Sequence, residues 1–131
     1  MTREQVLTIL GRCPGAVEEH PFREDIAAFK VGGRWFALVW LDRDPGFVNL
    51  KCDPEWARIL RDRYAGVRPG YHMNKRHWNT VELDGSIPDW EWRDMIDHSY
   101  GLIVSRLSKA EQAKLPAVHQ SSSPGAAPAA K

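Results

Sequence analysis

Apolar positions along this chain change their period several times, and each change marks an element. Val6, Leu7, Ile9 and Leu10 recur at helical spacing behind Thr2 and Gln5, a pair placed to form a capping box, so a first helix is predicted over 3–11 with Gly11 at its C-terminus. After the Cys13-Pro14-Gly15 turn the chain is polar as far as Ile26. Residues 27–31 and 35–41 flank Gly32-Gly33, and paired glycines supply the positive φ of a two-residue turn, which predicts a hairpin. A second turn over 42–46 leads to a third strand over 47–52, completing an antiparallel meander. Asp53-Pro54 is a strong helix start, with Asp as N-cap and Pro at the first helical position. Trp56, Ile59, Leu60 and Tyr64 mark the buried stripe of that second helix, which ends at Gly66. Beyond the Pro69-Gly70 turn a short strand is predicted over 71–73 and a firmer one over 77–83, stopped by Asp84-Gly85. Ser86 with Asp89 offers a cap, and Trp92, Ile96, Ser99, Ile103 and Leu107 hold one face of a long third helix over 88–107. Ser108 with Glu111 caps a last short helix to Leu115.

The resulting order, α-β-β-β-α-β-β-α, lacks β-α-β alternation. It predicts an α+β fold of two layers, an antiparallel sheet of about five strands with helices packed on one side. The folded unit is residues 1–115, and the Ala, Ser and Pro of 116–131, without periodicity, predict a disordered C-terminal tail. The stretch 35–41 is apolar at every position, whereas a strand with one wet face alternates. Its second face needs cover, from a loop, from the third helix, from a dimer contact or from a ligand in a groove.

Composition narrows the class. A chain of 131 residues fits one domain, and 43% hydrophobic with 27% charged residues describes a globular protein with a real core. Its longest apolar run is seven residues, against about 20 for a membrane helix, and the opening Met1-Thr2-Arg3-Glu4-Gln5 contains no apolar leader, so a cytoplasmic protein off the membrane is expected. Cys13 and Cys52 lie far apart without zinc-finger spacing and are read as free thiols. Net charge is +1, but between Arg58 and His77 six cations (Arg58, Arg61, Arg63, Arg68, Lys75, Arg76) face Asp62 alone, a local +5 that leaves −4 for the rest. His72 and His77, five apart, point to opposite faces of a strand and have no third ligand nearby, so no metal is expected. Asp97, His98 and Ser99 are adjacent helical positions that fan apart, which excludes a triad, and no glycine-rich nucleotide loop exists. No catalytic residue and no cofactor are expected.

The most specific signal is Pro69-Gly70-Tyr71-His72-Met73-Asn74-Lys75-Arg76-His77-Trp78, followed by Leu83-Asp84-Gly85. With the later Ile96-Asp97-x-Ser99-Tyr100-x-Leu102, and with Pro14-Gly15 and Pro21-Phe22 upstream, it resembles the MmcQ/YjbR family from about residue 2 to 115. The resemblance implies an antiparallel sheet backed by helices, like that of type III secretion chaperones and called CyaY-like. It also implies a DNA-binding protein whose loop-bearing wings contact the duplex. On that reading the nucleic-acid-binding residues are Arg68, His72, Asn74, Lys75, Arg76 and His77, with cationic heads on phosphates and Asn74 free to donate to a base edge or a sugar. The partner is then double-stranded DNA. Two other classes stay open: an interaction or chaperone-like module, as a homodimer or with a protein partner, using the apolar strand 35–41, and a small-anion-binding protein. Trp78, Tyr71 and Met73 are read as core rather than as stacking platforms. Because residues 116–131 offer no apolar period to bury, deleting them is expected to leave the melting temperature within a few degrees of the parent's, as calorimetry would show.

Overall fold

The computed structural model of the chain describes residues 1–116, so the tail expected over 116–131 lies, apart from Pro116, outside the described residues. Helix α1 (Arg3–Arg12) starts on the expected capping box, Thr2 Oγ1 accepting from Gln5 N at 3.1 Å while Gln5 Oε1 accepts from Thr2 N at 2.8 Å. It runs past Gly11 and ends on Cys13. Strand β1 (Val17–Glu19) is followed by β2 (Ile26–Val31) and β3 (Arg34–Trp40), joined through Gly32 and Gly33 at φ 59° and 80° as the hairpin required. After β4 (Phe47–Lys51), helix α2 (Pro54–Arg63) begins with Asp53 Oδ2 accepting from the N–H groups of Glu55 and Trp56. Strands β5 (Val67–Pro69) and β6 (Trp78–Glu82), helix α3 (Asp89–Val104) and α4 (Lys109–Ala113), with its own Ser108/Glu111 capping box, complete the chain.

All strand pairs are antiparallel, in the order β1-β2-β3-β4-β6-β5. Six strands replace the expected five. The polar stretch before Ile26 contains β1, an edge strand held by its ladder to β2 and by Glu19, which takes an ion pair from Lys30 and a hydrogen bond from the Trp35 indole at 3.0 Å. The strand expected over 71–73 is a turn, and pairing occurs at 67–69 instead, where Pro69, lacking an N–H, suits an edge. Helix α3 stops at Val104, short of Leu107, and Ser86 does not cap it, since Asp84 Oδ1 engages both the N–H and the hydroxyl of Ser86. Ile59 is half exposed, and Ala57 and Leu60 bury the inner face of α2.

Helices α1, α2 and α3 cover one face of the sheet over a core that includes Val6, Leu10, Phe29, Val39, Leu60, Trp92 and Ile96. Within it the buried Glu91 carboxylate is matched by Arg63 Nη1 at 2.8 Å and Tyr64 OH at 2.9 Å, which fastens the end of α2 to α3; a buried charge needs such partners. The β2–β3 register skips Phe36, a bulge that turns Trp35 to the opposite face. Ser99 of α3 donates to the bulged Phe36 carbonyl at 2.6 Å and accepts from Lys51 N at 2.9 Å, satisfying two backbone groups just beyond the β3–β4 ladder. Its role is therefore a polar bridge rather than mere small packing. Tyr100 donates its hydroxyl to Pro14 O, as expected of a half-buried tyrosine. Cys13 and Cys52 are free, and burial pushes both thiols up to about 12. Among the described residues no helix is long and apolar enough to cross a membrane.

The second face of the sheet carries a smaller cluster, Ile26, Ala28, Leu38, Trp40, Phe47 and Trp78, with Trp35 and Met73 against it. Loops 20–25 and 70–77 supply its cover, through Phe22 edge-on to Trp35 and through Tyr71 and Met73. Trp78 is only 7% exposed and belongs to this cluster, so Trp78→Ala is expected to cost about 3–5 kcal/mol in urea unfolding, the usual loss for a buried aromatic.

Candidate functional site

Loop 70–77 is sewn to the sheet by backbone and side-chain bonds before any surface chemistry is considered. Gly70 N donates to Trp78 O at 2.8 Å, and a Cβ on Gly70 would lie 2.6 Å from Trp78 Cβ, so only glycine lets the chain pass this close. The peptide groups of Tyr71 are held on both sides by cross-strand partners: Tyr71 N donates to Thr80 Oγ1 at 2.8 Å, and Asn49 Nδ2 donates to Tyr71 O at 2.9 Å. Thr80 in turn donates to Asn49 Oδ1, and both side chains are fully buried. Two buried polar residues thus satisfy each other and the loop together. Directly after this anchor His72 adopts φ 61°, a left-handed conformation rare for a residue with a side chain.

The tip of the loop is an Asx turn, with Asn74 Oδ1 accepting from Arg76 N at 2.9 Å and from His77 N at 3.3 Å. Lys75 Nζ reaches back to Gly70 O at 2.9 Å, and Arg61 of α2 donates from Nη2 to Lys75 O and from Nε to Asn79 Oδ1 at 2.7 Å. Arg61 therefore ties helix α2 to the loop.

The proposed contact residues separate into groups. His72, Asn74, Lys75 and Arg76 are exposed on one loop, with His77 half-buried beside them. Asn74 and Lys75 already help to build the turn, whereas the Arg76 guanidinium has no hydrogen bond or ion pair among the described residues. Arg68 lies on β5, ion-paired to Glu82 and 5.4 Å from the centre of the Phe47 ring. Arg63 is taken by Glu91. Among the described residues no group of three His, Cys, Asp or Glu side chains could hold a metal.

Sequence reasoning counted Arg61 only as one charge of the basic stretch, without its bonds to the loop, and missed Asn49 and Thr80. Polar residues at 49 and 80 alternate normally along their strands, so nothing in the sequence separates them from residues facing water. Tyr71, read as core, is 40% exposed and stands over Trp40 and Phe47, edge-on to both. Beside it opens a cavity of about 360 Å³, bounded by Phe22, Ile26, Leu38, Trp40, Tyr71, His72 and Met73, with Arg23 and Arg43 also lining it. The apolar strip that an interaction surface would use is largely occupied by the two loops.

Comparison with known proteins gives consistent results. The family model described as YjbR matches residues 12–102. The Escherichia coli protein YjbR is 37% identical over 112 residues, covering 86% of this chain and 95% of its own. YyaQ of Bacillus subtilis is 40% identical over 116 residues, covering 78% and 98% respectively. Among solved structures, Deinococcus radiodurans protein DR2400 superposes with a TM-score of 0.83 at 34% identity, covering 91% of this chain and 93% of its own.

The loop anchor is directly testable. Thr80→Val removes the acceptor of Tyr71 N and the donor to Asn49, and is expected to cost about 1–3 kcal/mol, because buried partners are left unsatisfied. Amide exchange should speed up across residues 71–77 while helix α3 stays protected. Uniform acceleration over the whole chain would show that the anchor is not local.

Proposed function

The chain belongs to the YjbR family, and from that premise we propose that it is a non-enzymatic DNA-binding protein contacting the duplex through loop 70–77 and the adjoining face of α2. One observation carries the reading. Of the six cations between Arg58 and Arg76, Arg63 and Arg68 are answered by Glu91 and Glu82, whereas Arg58, Arg61, Lys75 and Arg76 have no carboxylate within ion-pairing distance among the described residues. Arg61 joins the helix to the loop at Lys75, with Arg58 one turn earlier on α2 and Arg76 next to Lys75, so on this reading the four charges act as one patch around that contact. A patch of uncompensated cations on a protein of net charge +1 attracts a polyanion locally where the whole molecule would not.

Within this proposal the roles follow from the bonds already made. Arg76 is free to meet a phosphate bidentately, and Lys75 adds a point charge while holding Gly70 O. The Asn74 oxygen is spent on the turn, which leaves its amide N–H groups as donors to a sugar or a base edge. His72 and His77 flank the tip as further donors. Arg68, already paired with Glu82, stiffens the neighbouring edge of the sheet.

The test is a salt titration with random duplex DNA. If all four uncompensated cations neutralise phosphates, log affinity should fall with log salt at a slope of about −3.6, a loss of roughly a hundredfold between 50 and 200 mM. Arg76→Ala should flatten that slope by about 0.9 without changing the melting temperature. Lys75→Ala should flatten it similarly and also destabilise the loop, because it removes a bond to Gly70. Absence of binding by the parent protein at about 50 mM salt would refute the DNA reading.

A further inference from the structure

The cavity beside Tyr71 has a construction that phosphate contacts on the neighbouring loop tip do not require. Its lining is apolar at Ile26, Leu38, Trp40 and Met73, and aromatic again at Phe22 and Tyr71. The Trp40 indole is stacked on Phe47 at 4.7 Å with the rings 29° apart and meets Tyr71 edge-on, so at 4% exposure it closes the cavity's floor, and the accessible aromatic surface is that of Phe22 and Tyr71. Arg23 and Arg43 line the same space and no Asp or Glu does, although each arginine is ion-paired to an aspartate outside the lining. Arg23 is oriented from outside by Asp25, its Nε donating at 2.8 Å, which leaves its Nη groups with donors to spare; its Nη2 is 3.7 Å from Asp42. Arg43 is held more loosely, 5.4 Å from the Phe47 ring centre, with Asp42 no closer than 3.8 Å to its Nε. A flat apolar floor with cationic donors and no acid in the lining is complementary to a flat apolar ring with a negative group.

The geometry points to a ligand site: this cavity takes a small planar aromatic acid, its ring packed between Tyr71 and Phe22 over the closed floor at Trp40, and its carboxylate or phosphate on Arg43 and Arg23 in exchange for their aspartate partners. At about 360 Å³ the space lies at the lower end of small-molecule pockets, enough for one or two fused rings and a short acidic arm. The backbone supports the assignment independently. His72 lines the cavity in the left-handed region, and that conformation persists because Asn49 and Thr80 fix the preceding peptide groups; strained residues of this kind concentrate where a side chain must be presented. Two stretches singled out in the sequence meet here, Phe22 of the Pro21-Phe22 pair and Tyr71-His72-Met73. The site does not depend on the nucleic-acid reading, and it is tested without DNA.

The experiment is a titration of the ¹⁵N-labelled protein with benzoate, phenylacetate, indole-3-acetate and phenyl phosphate, with indole-3-ethanol as the uncharged control. Ligands of this size in a largely preformed pocket should bind with dissociation constants of about 0.1–1 mM, shifting the indole N–H of Trp40 and the amides of residues 71–73. The uncharged control and Arg43→Ala should each bind at least about tenfold more weakly, roughly the loss of a charge-assisted hydrogen bond, with the melting temperature of Arg43→Ala unchanged. His72→Gly relieves the left-handed strain and is expected to keep or raise the melting temperature while weakening the ligand, which separates the site from fold stability. The inference is overturned if none of the four acids shifts these signals at about 5 mM, if the shifts map away from Trp40 and Tyr71, or if the alcohol binds as well as the acid.

Discussion

Strand β3 has no wet face, and most of the architecture answers that fact. Ala37 and Val39 on one side and Leu38 and Trp40 on the other are all nearly inaccessible, so the sheet must be covered twice. The two covers differ in kind. Helices bury the first face with long apolar side chains, and the loss of water from that area supplies the bulk of the stability. Loops bury the second face, and a loop brings polar backbone with it, which has to be satisfied wherever it touches the sheet. The inward placement of Asn49 and Thr80 is the answer: they present a donor and an acceptor to one residue of the covering segment.

The same requirement sorts the charges. Glu91 and Glu82 sit where Arg63 and Arg68 can neutralise them, one inside the helical layer and one at the sheet edge, so those arginines serve cohesion. Arg61 spends its donors on two carbonyls and an amide oxygen, keeping its charge while bracing the loop. The surface that remains positive is therefore smaller than the basic stretch of sequence, and it is centred on the contact between α2 and the loop tip. A charge count along the chain overstates the patch, and a list of hydrogen bonds alone would miss it.

Legibility in the sequence followed how local each cause is. Caps at Thr2, Asp53 and Ser108 and the turn at Gly32-Gly33 depend on neighbours within four residues, and all were readable. The bulge at Phe36 was not, because Trp35, Phe36 and Ala37 are equally apolar and the skipped position is fixed only by pairing with β2. The edge strands were obscured for a related reason: with three residues each, β1 and β5 carry too little pattern to show a period. The loop was recognisable as a unit, but Asn74 and Lys75 looked like outward-facing chemistry when part of their function is to shape the turn, and the partners that reveal this, Gly70 O and the N–H groups of Arg76 and His77, become meaningful only in three dimensions. The glutamates that withdraw Arg63 and Arg68 from the basic segment lie beyond its end in sequence.

Ser99 sets a limit on how this molecule can move. Its hydroxyl joins α3 to a carbonyl of β3 and an N–H of β4 at once, at the point where those strands stop pairing. A shift of α3 by one residue would carry that hydroxyl about 1.5 Å along the axis and about 100° around it, leaving both strands with stranded polar groups in a dry interior. The helical layer is thus indexed to the sheet like a key in a keyway, without freedom to slide. Whatever binds on the opposite side then meets a covering loop tied bond by bond to the sheet at Gly70 and Tyr71 and to α2 at Lys75, and not a helix whose position is indexed to two strands at once.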